Sequence, residues 1–216
     1  MSKLIPASLG VVGAGGAGIG GYMLLNPSEN QKTEKVITFK EKYSKSLLDL
    51  SENKDESIWK TKLTSLKSQT PNHPDLREVS AVANGDGGED KAKPLHKKAC
   101  RKIYDSPSDN QSYFEDFKKY CSKLIGDLIT GNWISSESSN DSKWDSKLGT
   151  LNSKKGELIS QKLKDLVTKL PTSNNNNFTP EQRKELQAWC SPQKEQLFLG
   201  EESKVIDEIK SYCTGN

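Results

Sequence analysis

The apolar residues of this chain recur at steps of three and four positions over most of its length, a spacing typical of amphipathic helices. One series comprises Val36, Phe39, Tyr43, Leu47 and Leu50. A second comprises Phe114, Phe117, Cys121, Leu124 and Leu128, and a third runs from Leu151 to Leu170. Capping-box spacing occurs at Ser112 with Glu115, and at Thr179 with Pro180 and Gln182. The pattern predicts an all-α fold.

The segment that precedes these helices has a different pattern, because residues 5–25 include no charged side chain. As a helix they would extend about 31 Å, close to the hydrocarbon thickness of a bilayer. We therefore expect a transmembrane anchor at 5–25, with a short tail at 1–4 and a linker at 26–35. A cleaved signal peptide is the alternative, although the apolar run continues past the small-residue cleavage sites. The G-x-x-x-G spacing of Gly16 and Gly20 predicts self-association of the anchor.

The same segment also contains the G-x-G-x-x-G pattern of a dinucleotide-binding turn, at Gly13, Gly15 and Gly18. In that interpretation a second strand ends near Glu41, whose carboxylate would bind the ribose. Pro6 argues against it, because a central strand needs the backbone N–H that proline lacks. The chain downstream also shows no series of buried parallel strands.

The remainder of the chain resembles itself. Residues 57–67 align with 142–152, and residues 114–122 align with 206–214. The matched residues are Trp59 with Trp144, Cys100 with Cys190, Tyr120 with Tyr212, and Cys121 with Cys213. We interpret the repeated tryptophans and tyrosines as structural anchors of a helical core, because the tryptophans begin Trp-x-x-x-Leu-x-x-Leu faces.

A further similarity links the end of the first copy to its own beginning. Residues 39–50 resemble 117–128, so the segment that closes the first copy also opens the second. The sequence thus predicts a tandem duplication, with helical repeat 1 at 36–121 and helical repeat 2 at 114–216. The two repeats would share a linking helix at about 112–130.

The four cysteines form two pairs of similar spacing, 21 residues for Cys100 and Cys121 and 23 residues for Cys190 and Cys213. Four cysteines allow three pairings, and the duplication selects these two. Each disulfide would join two helices and stabilise the fold by about 3 kcal/mol. Four buried free thiols are the alternative. Disulfides persist in oxidising compartments, so we expect residues 26–216 to lie outside the cell membrane.

Charge and motifs bear on the remaining functional classes. The net charge is only +3, and acidic and basic residues are interleaved, so no nucleic-acid partner is predicted. His96 and Cys100 have the i, i+4 spacing of metal ligands, but the chain has no C-x-x-C and the second copy has no histidine. No metal site, cofactor or catalytic residue is predicted. Capture of haem or another nutrient is a further alternative, for which His73 and His96 are the candidate haem ligands.

The N-terminal stretch MSKLIPASLGVVGAGGAGIGGYMLL precedes a body rich in Lys, Ser, Asn and Glu with spaced Trp and Cys. This arrangement resembles the large paralogous sets of hypothetical surface proteins of haemotrophic mycoplasmas, closely in the anchor and in style along the body. The resemblance implies a protein at the exposed surface of a wall-less bacterium on red blood cells. Antigenic display or contact with a host component is the implied function, without catalysis. The alternative function is a cytoplasmic dinucleotide-binding oxidoreductase.

Overall fold

Helices dominate the part of the chain that a computed structural model describes, namely residues 35–85, 88–129, 131–134, 138, 142–172, 177–200 and 204–215. The all-α prediction is confirmed at this level. The predicted tail, the anchor and residues 26–34 of the linker lie outside the described residues, as do Gly13, Gly15, Gly16, Gly18 and Gly20. No helix within the described ranges is long and apolar enough to span a bilayer.

The helices follow one another with short connections. The first six are α1 (Phe39–Lys42), α2 (Glu56–Lys67), α3 (Pro74–Asn84), α4 (Gly88–Tyr104), α5 (Gln111–Asp116) and α6 (Ile125–Leu128). The next four are α7 (Lys143–Ser153), α8 (Gln161–Val167), α9 (Pro180–Cys190) and α10 (Lys204–Cys213). A π-helical turn (Phe117–Cys121) continues α5, and 3-10 turns lie at Ser44–Ser46, Lys155–Glu157 and Ser191–Glu195. Two short strands, β1 (Asn132–Trp133) and β2 (Thr214–Gly215), pair in antiparallel register.

The buried apolar side chains form two clusters that divide cleanly along the chain. The N-terminal core contains buried residues between Phe39 and Cys121, supplied mainly by α1 to α4 and the π-helical turn, with partly buried side chains of α5 packed against them. The C-terminal core contains buried residues between Ile125 and Cys213, supplied mainly by α7 to α10. In the first core α2, α3 and α4 pack against one another, and α2 and α4 also contact the π-helical turn. In the second core α7, α8 and α9 pack together, and α10 contacts α7 and α9.

The apolar series over 36–50 does not form one helix. α1 ends after a single turn, and Leu47 has an extended backbone, with φ −67° and ψ 137°. Leu47 forms an antiparallel bridge with Ser122, and the backbone N–H of Leu48 donates to the Tyr104 hydroxyl over 3.2 Å. These contacts with distant segments satisfy backbone groups that a longer helix would have bonded internally. The periodicity alone therefore overestimates the length of the helix.

The predicted linking helix at about 112–130 is also interrupted, which corrects that part of the fold prediction. The π-helical turn is followed by extended backbone over 122–124 before α6 begins. The backbone N–H of Lys123 donates to the Ser46 carbonyl over 2.6 Å, and its carbonyl accepts from the Phe198 N–H over 3.0 Å. The two cores therefore meet at extended segments rather than along a shared helix.

A buried ion pair also joins the two cores. The Lys62 ammonium on α2 lies 2.8 Å from the Asp127 carboxylate on α6, and both side chains are largely buried. Asp127 also accepts the backbone N–H of Leu124 over 2.8 Å. Removing two charges from water is costly unless their hydrogen bonds are well satisfied, so the pair mainly fixes how α2 meets α6.

Candidate functional site

The N-terminal disulfide joins the last third of α4 to the end of the π-helical turn. It links Cys100 to Cys121, whose Cα atoms are 5.3 Å apart and whose side chains are fully buried. The Cys100 sulfur lies 3.7 Å from the carbonyl oxygen of Tyr120. The structure thus contains the first of the two pairings that the sequence predicts.

The C-terminal disulfide has closely similar surroundings. It links Cys190 at the end of α9 to Cys213 at the end of α10, again with 5.3 Å between the Cα atoms and complete burial. The Cys190 sulfur lies 3.6 Å from the carbonyl oxygen of Tyr212. The second pairing also agrees with the prediction, and the described residues contain no free thiol.

The two tryptophans predicted as anchors are buried in equivalent ways. Trp59 on α2 is 1% exposed and Trp144 on α7 is 0% exposed. The Trp59 indole N–H donates to the Asp49 carbonyl over 3.0 Å, and the Trp144 indole N–H donates to the Ser138 carbonyl over 3.1 Å. Each ring therefore fills its core while its polar atom ties the preceding segment to the helix.

The tyrosines beside the second cysteine of each pair are core residues as well. Tyr120 and Tyr212 are 2% and 3% exposed. Burial raises the pKa of both phenols, with a smaller contribution from Asp116 at Tyr120 and from Glu208 at Tyr212. Both rings therefore fill their cores beside the second cysteine of each pair.

Two buried carboxylates play matching parts that the sequence analysis did not identify. Asp116 accepts the backbone N–H of His73 over 2.6 Å, just before α3 begins. Glu208 accepts the backbone N–H groups of Ile159 and Ser160 over 2.7 and 3.2 Å, just before α8 begins. Each carboxylate lies five residues before the second cysteine of its pair, within the aligned segments 114–122 and 206–214. An acidic residue at the same place on two apolar helix faces was the signal that could have revealed them.

His96 lies against the N-terminal disulfide and is 1% exposed. Its ring contacts Trp59 edge-on at a centroid distance of 5.0 Å, and its Nε2 lies 3.0 Å from the Tyr120 carbonyl oxygen. Burial lowers the pKa of His96 to about 4, so the ring is neutral at pH 7. Ligand atoms of His96, Cys100 and Cys121 all lie within 4.8 Å of one another. The i, i+4 spacing of His96 and Cys100 does not include Cys121, because that residue comes from the π-helical turn and not from α4.

His73, the other histidine, has a structural role. Its ring Nδ1 accepts the backbone N–H of Asp75 over 3.2 Å and so caps the N-terminus of α3. Burial lowers its pKa, although Asp75 and Asp116 oppose the shift. Because His73 and His96 are both buried and hydrogen-bonded, neither presents an exposed ring to a haem group.

Glu41, the supposed ribose ligand, also has a local role. Its carboxylate accepts the backbone N–H of Thr38 over 3.0 Å, and the Thr38 hydroxyl accepts the Glu41 N–H over 3.2 Å. This capping box starts α1 at Phe39, where the dinucleotide hypothesis requires the end of a strand. The dinucleotide-binding turn at Gly13, Gly15 and Gly18 stays a prediction, because these residues lie outside the described ranges. Glu41, however, lies in α1 and not at the end of a strand.

An open pocket of about 350 Å³ lies beside the junction of the two cores. Its charged lining comprises Lys62, Lys118, Lys119, Glu115 and Glu195. Lys62 is paired with Asp127, and the Lys119 ammonium donates to the Gln69 side chain over 3.0 Å. The mixed and partly paired charges give this pocket no clear preference for an anion or a cation.

No protein-family profile, curated protein or solved structure matches this chain.

Proposed function

We propose that this chain is a membrane-anchored surface protein that acts by binding or display and not by catalysis. The observation that carries the proposal is the pair of buried disulfides, Cys100–Cys121 and Cys190–Cys213. Disulfides of this kind persist in oxidising compartments, which favours a body outside the cell. The uncharged segment 5–25 supplies a suitable anchor. The body would be held at the outer face of the membrane by a single span.

The finer architecture in this proposal is a tandem duplication. Five features support it, each present once in each core and in the same order along the chain. They are the anchored tryptophan, the disulfide between neighbouring helices, the sulfur close to the carbonyl of the preceding tyrosine, the buried carboxylate before a helix start, and a hydroxyl that follows the second cysteine. The Ser122 and Thr214 hydroxyls donate to carbonyls four residues earlier, over 2.8 and 2.9 Å. Descent from one unit explains this agreement more simply than independent origin.

A role in binding or display is supported by what the cores do not contain. The conspicuous titratable groups of the described residues, His96, His73, Asp116 and Glu208, hold the fold together instead of facing a cleft. The exposed residues of the described ranges are mostly polar and include charges of both signs. Such a scaffold would present its polar loops on a disulfide-bridged frame. The partner in this proposal is a host component, and the resemblance to mycoplasma surface proteins is consistent with it.

Topology is the property to test first. The native cysteines are buried, so a reporter cysteine is needed for labelling of intact cells with a membrane-impermeant maleimide. Lys60→Cys places a thiol on the exposed face of α2. Ser2→Cys, in the tail before the anchor, is the matched control. We expect Lys60→Cys to be labelled in intact cells and Ser2→Cys only after lysis.

The reverse pattern, or labelling of both variants only after lysis, would overturn the surface proposal. Loss of residues 1–25 from the mature protein would instead identify a cleaved signal. The redox state is tested separately by quenching cells in acid and tagging thiols in denaturant. We expect no tags without reductant and four with it, whereas four tags without reductant would place the body in a reducing compartment.

A further inference from the structure

The N-terminal disulfide has a neighbour that the C-terminal one lacks. α4 places His96 one turn before Cys100, and the π-helical turn brings Cys121 to the same point. All three side chains are buried, and their ligand atoms lie within 4.8 Å of one another. Two sulfurs and one imidazole are a ligand set that Zn²⁺ prefers.

We propose that reduction of the Cys100–Cys121 disulfide converts this cluster into a three-ligand site for a thiophilic divalent cation such as Zn²⁺. In the oxidised protein both sulfurs are bonded to each other, so the site exists only in the reduced state. The disulfide and the metal are therefore alternative ways of joining α4 to the π-helical turn. This inference concerns the isolated chain and does not depend on where the cell places it.

The required displacement is small. In a tetrahedral site the Zn–S and Zn–N bonds place neighbouring ligand atoms roughly 3.5 Å apart. The present separations, all within 4.8 Å, approach that spacing once the S–S bond no longer holds the sulfurs together. Three protein ligands leave the fourth position for water or a small anion.

The environment of His96 suits a metal ligand. Its Nε2 lies within hydrogen-bond distance of the Tyr120 carbonyl, and a bond of this type orients most ligating imidazoles. In the tautomer in which Nε2 donates this bond, Nδ1 carries the lone pair that a cation would accept.

The steps balance in atoms and electrons. A dithiol transfers two electrons and two protons to the disulfide, closes to a cyclic disulfide, and leaves Cys100 and Cys121 as thiols. The cation then replaces the two thiol protons, which are released to solvent, and accepts the imidazole lone pair. Reoxidation by a small disulfide, which takes up two electrons from the thiolates and two protons from solvent and leaves as two thiols, would re-form the S–S bond and expel the cation.

The C-terminal core supplies an internal comparison. Leu186 occupies the position four residues before Cys190 and is fully buried. Reduction of Cys190–Cys213 therefore yields two thiols without an imidazole. We expect the two reduced pairs to differ in metal affinity although their oxidised geometries agree.

The test uses Co²⁺ as a spectroscopic substitute for Zn²⁺. Full-length Cys190→Ser/Cys213→Ser protein, which keeps only the N-terminal pair, is reduced with a phosphine under anaerobic conditions. The phosphine takes oxygen from water and does not compete as a thiolate. Charge-transfer and d–d absorption report tetrahedral Co²⁺, and far-UV circular dichroism reports folding in the same samples. His96→Leu and His96→Gln are compared in the same background. Cys100→Ser/Cys121→Ser in the otherwise native chain keeps only the C-terminal pair.

We expect one tetrahedral Co²⁺ per reduced chain, none in the oxidised chain, and displacement by Zn²⁺. His96→Leu and His96→Gln should bind at least tenfold more weakly, as should Cys100→Ser/Cys121→Ser. Equal affinity in the His96 variants, equal affinity at the C-terminal pair, or no tetrahedral spectrum would overturn the proposal. If the reduced chain unfolds, restoration of helicity by Co²⁺ supports the proposal and failure to restore it refutes it.

Discussion

The two cores have the same kinds of hydrogen bond from side chains to the backbone, but they differ in the apolar side chains that fill them. Both have a tryptophan hydrogen-bonded to a carbonyl, a disulfide between neighbouring helices and a buried carboxylate that holds a helix start. The N-terminal core adds a group of aromatic rings, in which Phe39 and Phe117 lie 5.0 Å apart and Tyr104 meets Phe117 edge-on at 6.1 Å. The C-terminal core is filled mainly by leucine and isoleucine and includes the β1–β2 pair.

Two of the differences lie one turn on either side of the first cysteine of each pair. His96 and Tyr104 flank Cys100, whereas Leu186 and Lys194 occupy the same offsets from Cys190. The Tyr104 hydroxyl donates to the Cys121 carbonyl over 2.6 Å, and its burial raises the pKa of the phenol. Lys194 is exposed. The side-chain-to-backbone hydrogen bonds are therefore common to both cores, whereas the apolar side chains packed around them differ.

The anchoring tryptophans give the largest expected effect. Trp59→Ala and Trp144→Ala each leave a large cavity and remove an indole hydrogen bond, so each should lower the free energy of unfolding by about 3–5 kcal/mol. Urea denaturation of the full-length chain measures this change in the free energy of unfolding. Trp133→Ala, at a partly buried position, is the control and should cost less. A loss confined to one of the two anchors would show that the cores are not organised alike.

The disulfides come next and should have equal effects. The loops they close differ by only two residues, 21 against 23, so the chain-entropy model assigns each about 3 kcal/mol. Cys100→Ala/Cys121→Ala and Cys190→Ala/Cys213→Ala should therefore shift the urea midpoint by similar amounts. A much smaller effect in the N-terminal pair would mean that Tyr104 already joins the same segments.

His96 should make the two cores respond differently to acid. Its pKa is lowered to about 4 in the folded chain, below the usual 6.5, so its contribution to stability is present above pH 6.5 and is lost as the pH falls towards 4. The linkage relation gives a loss of about 2 kcal/mol between pH 7 and pH 5.

The measurement is urea denaturation of the oxidised protein at both pH values. His96→Leu, which reproduces the residue of the C-terminal core, should remove this part of the pH dependence. His73 has a lowered pKa of the same sign and is retained in both proteins, so it cancels in the difference. Equal pH slopes in wild type and His96→Leu would contradict the assignment.

Sequence patterns predicted the helical class, the cysteine pairing and the burial of the tryptophans because these depend on local periodicity and on the likeness of the two halves. Thr179, Pro180 and Gln182 also start α9 as a capping box, with the Gln182 N–H 3.3 Å from the Thr179 hydroxyl. The Ser112 prediction was wrong, because α5 is capped two residues earlier by Asn110, whose side chain accepts the Tyr113 N–H over 3.1 Å.

The missed features all depend on contacts between segments distant in sequence. The break at 122–124 follows from hydrogen bonds to Ser46 and Phe198, which no local window contains. The metal-ligand cluster needs Cys121 beside His96, and that proximity follows from the disulfide. Only the cluster could have been predicted once the pairing was assumed, because a bridge between Cys100 and Cys121 brings the second sulfur near the residue one turn before the first.

The buried carboxylates give the smallest expected effect and the most direct test of equivalence. Asp116→Asn and Glu208→Gln keep the shape but replace a charged acceptor by a neutral amide, which should cost about 1–2 kcal/mol in each core. The adjacent exposed acids supply matched controls, since Glu115→Gln and Asp207→Asn change the same charge without a buried partner. These controls should alter stability by no more than about 0.5 kcal/mol.

Hydrogen exchange at the two helix starts separates a local from a global effect. Asp116→Asn should increase exchange of the His73 amide, and Glu208→Gln should increase exchange of the Ile159 and Ser160 amides, each more than elsewhere in the same core. If both variants loosen only their own helix start, the carboxylates perform the same task in two copies of one unit. If Glu208→Gln leaves the free energy of unfolding unchanged while Asp116→Asn lowers it, the equal distance of the two carboxylates from the second cysteine is coincidental. The proposed duplication then loses one of its five supporting features.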